Sequence, residues 1–388
     1  MIRMLVLAEH AVGINGAARN VVSCLNALSV RNDIRVRLLC GKIDQSEPYA
    51  RSGRLDIRSG FDPRQLTRFG LNLWKVLQAV RGCDLIYVPA GLRPFLYAYT
   101  VKRGRKLVAG PHMPGIPILG MDRSNPSPLI TMKMSDAWIE VSEVSVRHRM
   151  MAGTPREYMN IVPHAVDPER FNPRYADRDV WRREGLDPNT KKIVNVGRMN
   201  IEKKGIPQLI EAYQLIRYAF PRVDLVLIGE PGPFLAPEHR ALHGVYPIGP
   251  RYGYHLVRLL ASADLFMGAS RLETFWLAPL EAMACGVAVV VSKTGAVPTM
   301  IPQDGVQGRA IEIVDRAPYP FLPDAAERLA AAAIPLLVDD ETRHRMGATG
   351  REHVISEFPE SRLGDRLVRV FQSTIEGGSK SELSSPAY

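Results

Sequence analysis

Lys192-Ile193-Val194-Asn195-Val196 runs directly into Gly197-Arg198-Met199-Asn200-Ile201-Glu202-Lys203-Lys204-Gly205, and then into an apolar series at Ile206, Leu209, Ile210, Tyr213, Ile216 and Phe220. The first five residues read as a strand buried on both faces. The apolar series has the spacing of a helix. Pro207 falls in the first helical turn, where the missing N–H is not needed. A strand, a glycine-bounded loop and a helix in that order predict a βαβ unit, and hence a parallel, doubly wound α/β sheet. The same alternation continues on both sides. Downstream, residues 223–228, 264–269 and 287–291 read as strands. Upstream, 2–8, 34–40, 84–88, 106–109, 137–141 and 158–162 read as strands. Between them lie helical stripes at Ala18, Val21, Val22, Leu25 and Leu28, and at Leu66, Phe69, Leu73, Leu77 and Val80. The Pro-, Asp- and Arg-rich stretch 163–190 separates the two series and reads as a linker. The chain of 388 residues therefore reads as two α/β domains of similar size.

Composition excludes several classes. Hydrophobic residues at 46% and charged residues at 23% exclude a mainly disordered chain. No apolar run approaches the ~18–20 residues that cross a bilayer. The N-terminal strand meets Glu9 too early to read as a secretory signal. Cys24, Cys40, Cys83 and Cys285 show no C-x-x-C spacing, which argues against a zinc site and suits a reducing cytoplasm. The net charge of +10 is unevenly placed: residues 1–170 hold 24 Lys/Arg and 14 Asp/Glu, whereas the remainder is balanced at 26 and 26. Such asymmetry points the first half toward an anionic partner, with general solubility as the alternative.

Two constellations carry chemistry. Arg198 and Lys204 (or Lys203) place fixed positive charge in the loop that opens a helix, where backbone N–H groups also favour an anion. The pairing suits a diphosphate. The second is Glu273-Thr274-Phe275-Trp276-Leu277-Ala278-Pro279-Leu280-Glu281, after the strand at 264–269. Residues 277–285 read as a short helix closed by Gly286. One carboxylate then lies in the loop and the other on the helix, an arrangement suited to accepting hydroxyl hydrogen bonds from sugar rings. Asp177-Arg178-Asp179 is a formal D-x-D, but it sits among arginines and reads as a helix cap rather than a metal site.

The G-R…K-G loop followed about 70 residues later by E-x7-E resembles the signature of the retaining GT-B glycosyltransferases. Other segments agree in order: Gly13-Ile14-Asn15-Gly16-Ala17-Ala18-Arg19-Asn20, Ser135-Asp136-Ala137-Trp138-Ile139-Glu140-Val141-Ser142, Pro163-His164-Ala165-Val166-Asp167 with Phe171, and Ala261-Ser262-Ala263-Asp264-Leu265-Phe266. The sequence departs from the family at His164-Ala165 for Asn-Gly, at Asn15-Gly16 for Gly-Gly, and at Trp276 for the glycine after Phe275. Trp276 bears most on function, because a large side chain there must point away from the donor sugar or reshape its pocket.

The resemblance implies two Rossmann-like domains facing each other across a cleft. Residues 1–165 would be the acceptor domain and 166–360 the donor domain. Residues 361–376 would form a helix crossing back to the first domain, and 377–388 a flexible tail. It implies that Arg198 and Lys204 hold the donor diphosphate, that Glu273 binds sugar hydroxyls and that Glu281 binds the ribose. Gly16 would let the backbone approach the phosphates, and His112 would meet the transferred sugar. Lys203, Thr274, Phe275, Trp276 and Leu277 would line the donor, and Ile248, within 247–251, would meet the base. No cofactor or metal is implied; the co-substrate is a UDP- or GDP-linked sugar. The acceptor would be a glycan or lipid-linked hydroxyl, at a cytoplasmic location on the inner face of a membrane. The segment Arg64–Lys75, with Arg68 and Trp74, reads as an amphipathic helix, and residues 111–119 as an apolar loop; both fit an anionic membrane surface. Two alternatives stay open. A nucleotide-sugar 2-epimerase shares the fold, and a basic nucleic-acid-binding protein would share the charge, though not the interleaved aromatics of a stacking platform.

Overall fold

The chain divides into two units, Met1–Ala165 with Glu360–Tyr388, and Val166–Pro359. The computed structural model describes all residues except 12–15, 46, 113–126, 152, 200–201, 231–234, 236, 316–318 and 378–388. The loop read at 13–15, most of the apolar loop at 111–119 and the tail from 378 lie outside the described residues.

The first unit is built on seven parallel strands: β1 (Ile2–Leu7), β2 (Ile34–Leu39), β3 (Asp56–Arg58), β4 (Leu85–Ala90), β5 (Lys106–His112), β6 (Ala137–Glu140) and β7 (Met159–Ile161). They lie in the order β3-β2-β1-β4-β5-β6-β7. This is a doubly wound order, and helices on each face explain why its central strands are apolar on both sides. On one face Met4, Val6, Val36 and Leu38 pack with α1 (Gly16–Ser29). On the other, Leu5, Leu7, Ile86 and Val88 pack with α2 (Phe69–Ala79) and α3 (Leu92–Val101). The final helix, Glu360–Glu376, belongs to this unit. Its Leu363, Leu367, Val370 and Phe371 join the α1 core, and Gly364 lets it approach Ala27.

The helix expected to start at Leu66 starts instead at Phe69, after a 3-10 turn at Leu66–Arg68. Arg64 lies before it and pairs with Glu9 at 2.8 Å, so it is not one of the helix's free cations.

The second unit has six parallel strands: β8 (Lys191–Val196), β9 (Val223–Ile228), β10 (Val245–Gly249), β11 (Leu265–Gly268), β12 (Val289–Ser292) and β13 (Arg309–Ile311). Their order is β10-β9-β8-β11-β12-β13. The order reverses at β8, so the loops after β8 and β11 flank the switch point where ligands of such sheets bind. The helices α4 (Ile206–Ala219) and α5 (Leu277–Ala284) begin at those loops.

Only the start of the stretch 163–190 joins the two units, at Ala165–Val166; the rest is no free linker but part of the second unit. Phe171 and Trp181 are buried, and the Trp181 indole N–H donates to the Ser262 carbonyl at 3.1 Å. Its polar composition conceals two aromatic anchors that fix it to the second unit. Asp177 pairs with Arg183, and Asp179 with Arg182, so both carboxylates of the D-x-D are committed to arginines.

Candidate donor site

Three loops at the carboxyl ends of β8, β11 and β12 converge on Glu273. The Arg271 N–H donates to the Lys203 carbonyl at 2.6 Å, joining the first loop to the second. The Ser292 hydroxyl donates to the Ser270 carbonyl at 2.5 Å, and the Glu273 N–H donates to the Thr294 hydroxyl at 3.3 Å, joining the second to the third. Gly205 begins α4 at φ +60°, and a Cβ there would lie 2.1 Å from the Ala269 carbonyl oxygen, so only glycine lets these loops meet.

The Lys204 ammonium donates to Glu273 Oε1 at 2.5 Å, and the Ser270 hydroxyl donates to the same oxygen at 2.9 Å. Glu273 is 8% exposed. Burial pushes its carboxyl up, but the Lys204 and Lys203 ammonium groups outweigh that and hold it below the usual carboxylate range. Glu273 is therefore ionised at neutral pH, an acceptor only. Burial pulls the Lys203 ammonium down, opposed by Glu273 and reinforced by the Lys204 and Arg198 charges. Arg198 is exposed and has no ion pair among the described residues. An ammonium has three donors; with one spent on Glu273, Lys204 can still meet an incoming anion.

Trp276 caps α5 in the left-handed region, at φ 82° and ψ 80°. Its indole is buried against Gly268, where a Cβ would stand 2.6 Å from the ring. The Lys204 Nζ lies 5.8 Å from the ring centroid, within the range of a cation–π contact. The side chain thus turns toward the Lys204–Glu273 pair rather than out to solvent.

The structure brings Lys203, Lys204, Glu273 and Trp276 together. Phe275 is buried beside Phe358, with ring centroids 5.9 Å apart. Thr274 and Leu277 are partly exposed at the start of α5, and Glu281 is buried on that helix. Ile248 lies on the edge strand β10, beside the Gly229 N–H to Gly249 carbonyl bond at 3.0 Å. Gly16 is the first residue of α1 and His112 the last of β5, both in the first unit. Sequence reasoning missed Ser270, Thr294 and Gly268. Their only signal was a small or polar residue just after, or ending, an apolar strand. Among the described residues no group of three His, Cys, Asp or Glu side chains is placed to hold a metal ion.

Residues 177–353 match the family model described as glycosyl transferases group 1. The match lies wholly within the second unit. The matched stretch contains β8 through β13 and Arg198, Lys203, Lys204, Ser270, Glu273, Trp276, Glu281 and Thr294. A sulfoquinovosyl transferase of Arabidopsis thaliana is 30% identical over 192 residues, covering 48% of this chain and 34% of its own. A D-inositol 3-phosphate glycosyltransferase of Segniliparus rotundus is 29% identical over 262 residues, covering 63% of this chain and 54% of its own. The chain thus spans a third to about half the length of these relatives. Among solved structures, the Anabaena Alr3699/HepE protein in complex with UDP and glucose superposes with a TM-score of 0.75 at 17% identity, covering 96% of this chain and 100% of that one. A sucrose-phosphate synthase from Thermosynechococcus elongatus superposes at 0.71 with 18% identity, covering 97% and 100%. The fold is GT-B, as the motifs led one to expect.

Proposed function

We propose that the protein is a retaining, metal-independent glycosyltransferase. It moves a hexose from a UDP- or GDP-linked sugar to an acceptor hydroxyl on a glycan or a lipid-linked molecule. The observation that supports this most is the Lys204–Glu273 pair at the switch point, its carboxylate buried, with Arg198 in the same loop. Arg198 and Lys204 hold the diphosphate and stabilise the negative charge that grows on it as the anomeric C–O bond breaks. Glu273, kept ionised by its lysines, accepts hydrogen bonds from sugar hydroxyls and fixes the Lys204 ammonium. Glu281 binds the ribose, and Ile248 faces the base. Gly16 and His112 keep the roles assigned to them from the motifs. The donor complexes named for relatives, UDP and glucose in the Anabaena protein, are consistent with this reading.

A thermal-shift screen against common sugar nucleotides tests it. The right donor stabilises by about 2.7 kcal/mol at a hundredfold excess over its Kd. No stabilisation by any UDP- or GDP-sugar would remove the donor site. A new sugar nucleotide formed without acceptor would instead mark an epimerase.

We also infer a lipid surface as the place where the acceptor is met. On α2, Leu71 is 47% and Trp74 57% exposed, with Phe69 at its start 52% exposed. Arg68 and Lys75 flank them, and Leu96 and Tyr99 extend the apolar surface on the neighbouring α3. Each basic residue near an anionic surface contributes about 1 kcal/mol, and the attraction fades over a Debye length of ~8 Å. The variant Arg68→Glu/Trp74→Ala is expected to lose low-salt flotation with phosphatidylglycerol vesicles while keeping its response to sugar nucleotides. Wild-type protein that stays unbound at low salt ends this part of the proposal. No helix among the described residues is long and apolar enough to cross a membrane.

A further inference from the structure

At the amino-terminal ends of the first unit's strands lies a cavity of about 450 Å3 lined by Arg3, Arg35, Arg37, Arg54, Arg81 and Asp56. It stands at the opposite end of that sheet from Gly16, the first residue of α1. Its charge is not accidental crowding on a flexible surface, because strand register places it. Arg3 and Arg35 are paired residues on adjacent strands. Arg37, two residues beyond Arg35, points to the same face. Met4 and Val36 face the α1 core, which sends all three guanidinium groups to the side where α2 ends. Like charges directly opposite in a sheet destabilise it.

The structure answers only part of that repulsion. Arg3 forms a two-point pair with Asp84, at 2.7 and 3.2 Å. Arg37 is spent on Asp56 at 2.6 Å and on the Ala79 and Arg81 carbonyls at 2.6 and 2.9 Å, where it closes the carboxyl end of α2. Arg54 gives one nitrogen to the Val30 carbonyl at 3.1 Å and the Asn32 side-chain oxygen at 3.4 Å. The guanidinium groups of Arg35 and Arg81 have no hydrogen bond or ion pair among the described residues. Arg35 and Arg81 thus stand unpaired among the described residues at one concavity, whose carboxylate, Asp56, is already taken by Arg37 and Arg58.

We propose that this cavity binds a small anion carrying more than one phosphate group, gripped by Arg35 and Arg81 with Arg3 and Arg54 at its rim. The guanidinium fork matches phosphate oxygens two at a time. The volume lies within the ~300–1,000 Å3 of small-molecule pockets. The site is separate from Arg198 and Lys204, which belong to the second unit, and it gives part of the first half's excess charge a specific use. The phosphates could be supplied by a soluble molecule or by a lipid headgroup; the recognition chemistry is the same.

Hydrogen exchange of the full chain, read by mass spectrometry, tests this with pyrophosphate and, separately, with vesicles containing a phosphatidylinositol bisphosphate. Pyrophosphate is expected to slow exchange in the segments 53–58 and 81–84. The Arg35→Gln/Arg81→Gln variant is expected to lose that protection and ~10-fold or more in affinity at this site. The Arg35→Lys/Arg81→Lys variant, which keeps the charge, retains part of it and shows that the loss is not misfolding. Exchange in the 202–205 turn reports the donor loop independently. Protection by vesicles alone, lost in the same variant, supports the site with a lipid as the source of the phosphate. No protection from either probe, or equal protection in wild type and the glutamine variant, overturns the proposal.

Discussion

Lys204→Ala and Arg198→Ala are each expected to lower hexose transfer by ~10²-fold or more, the scale of losing one preorganised charge partner of a developing anion. The two changes should differ in a second property. Arg198 is exposed and unpaired among the described residues, so its removal should leave stability within about 0.5 kcal/mol of wild type. Lys204 is partnered with a buried carboxylate. Its removal leaves Glu273 with Ser270 and the charge of Lys203, and breaking such a pair costs about 3–5 kcal/mol. That cost has a definite pH dependence. The Glu273 carboxyl is held below its ordinary value in the folded chain, so the pair's contribution is complete above the unfolded carboxylate range and fades as pH falls through the folded value. The stability gap between wild type and Lys204→Ala, measured by urea denaturation, should be widest near neutral pH and narrow toward acid. A gap that widens toward acid would mean that Glu273 is not the ionised partner. Near-normal transfer in both variants would sink the diphosphate assignment. Damage from Lys203→Ala instead would place the working cation one residue earlier.

Much of this arrangement could be read before any coordinates. The β8–loop–α4 unit is legible because an apolar strand, a glycine-bounded loop and a 3.6-residue stripe follow one another without interruption. The E-x7-E spacing is legible because one carboxylate must fall in the loop and the other on the helix it opens. What escaped detection has physical reasons. Two edge strands, Asp56–Arg58 and Arg309–Ile311, are three residues long and carry arginine, so neither alternation nor apolarity marks them. The linker reading of 163–190 failed because local composition says nothing of a single tryptophan reaching Ser262, 81 residues on. The contact between Lys204 and Glu273 spans 69 residues, and only the doubly wound strand order brings the two loops together. Arg64 looked like a helix cation because a helical stripe can be continued backward without penalty; its pairing with Glu9 is a tertiary fact.

Gly268→Ala is expected to destabilise the second unit by about 1–3 kcal/mol in the native background and by almost nothing in a Trp276→Gly background. The added Cβ would stand 2.6 Å from the Trp276 ring, and overpacking of that kind costs what is expected here. Trp276 cannot simply move aside. Its backbone is in the left-handed region, which costs a side-chain-bearing residue about 1–2 kcal/mol, and the buried ring is what offsets that strain. Removing the ring frees both the space over Gly268 and the backbone. Trp276→Gly alone should then cost about 1–4 kcal/mol, a lost buried aromatic at about 3–5 less the relieved strain. A double-mutant cycle over the four proteins, by urea denaturation, isolates the coupling. Equal cost of Gly268→Ala in both backgrounds would show that the indole does not rest on Gly268. The same cycle bears on function. If the ring also restricts the space beside the Lys204–Glu273 pair, Trp276→Gly should accept more sugar nucleotides in the thermal-shift screen than the native protein does. If instead the ring serves only to hold Lys204 by its π face, the donor range stays the same and transfer falls for every donor alike. The departure from the family pattern at one residue is thereby turned into a measurable choice between a selective wall and a positioning one.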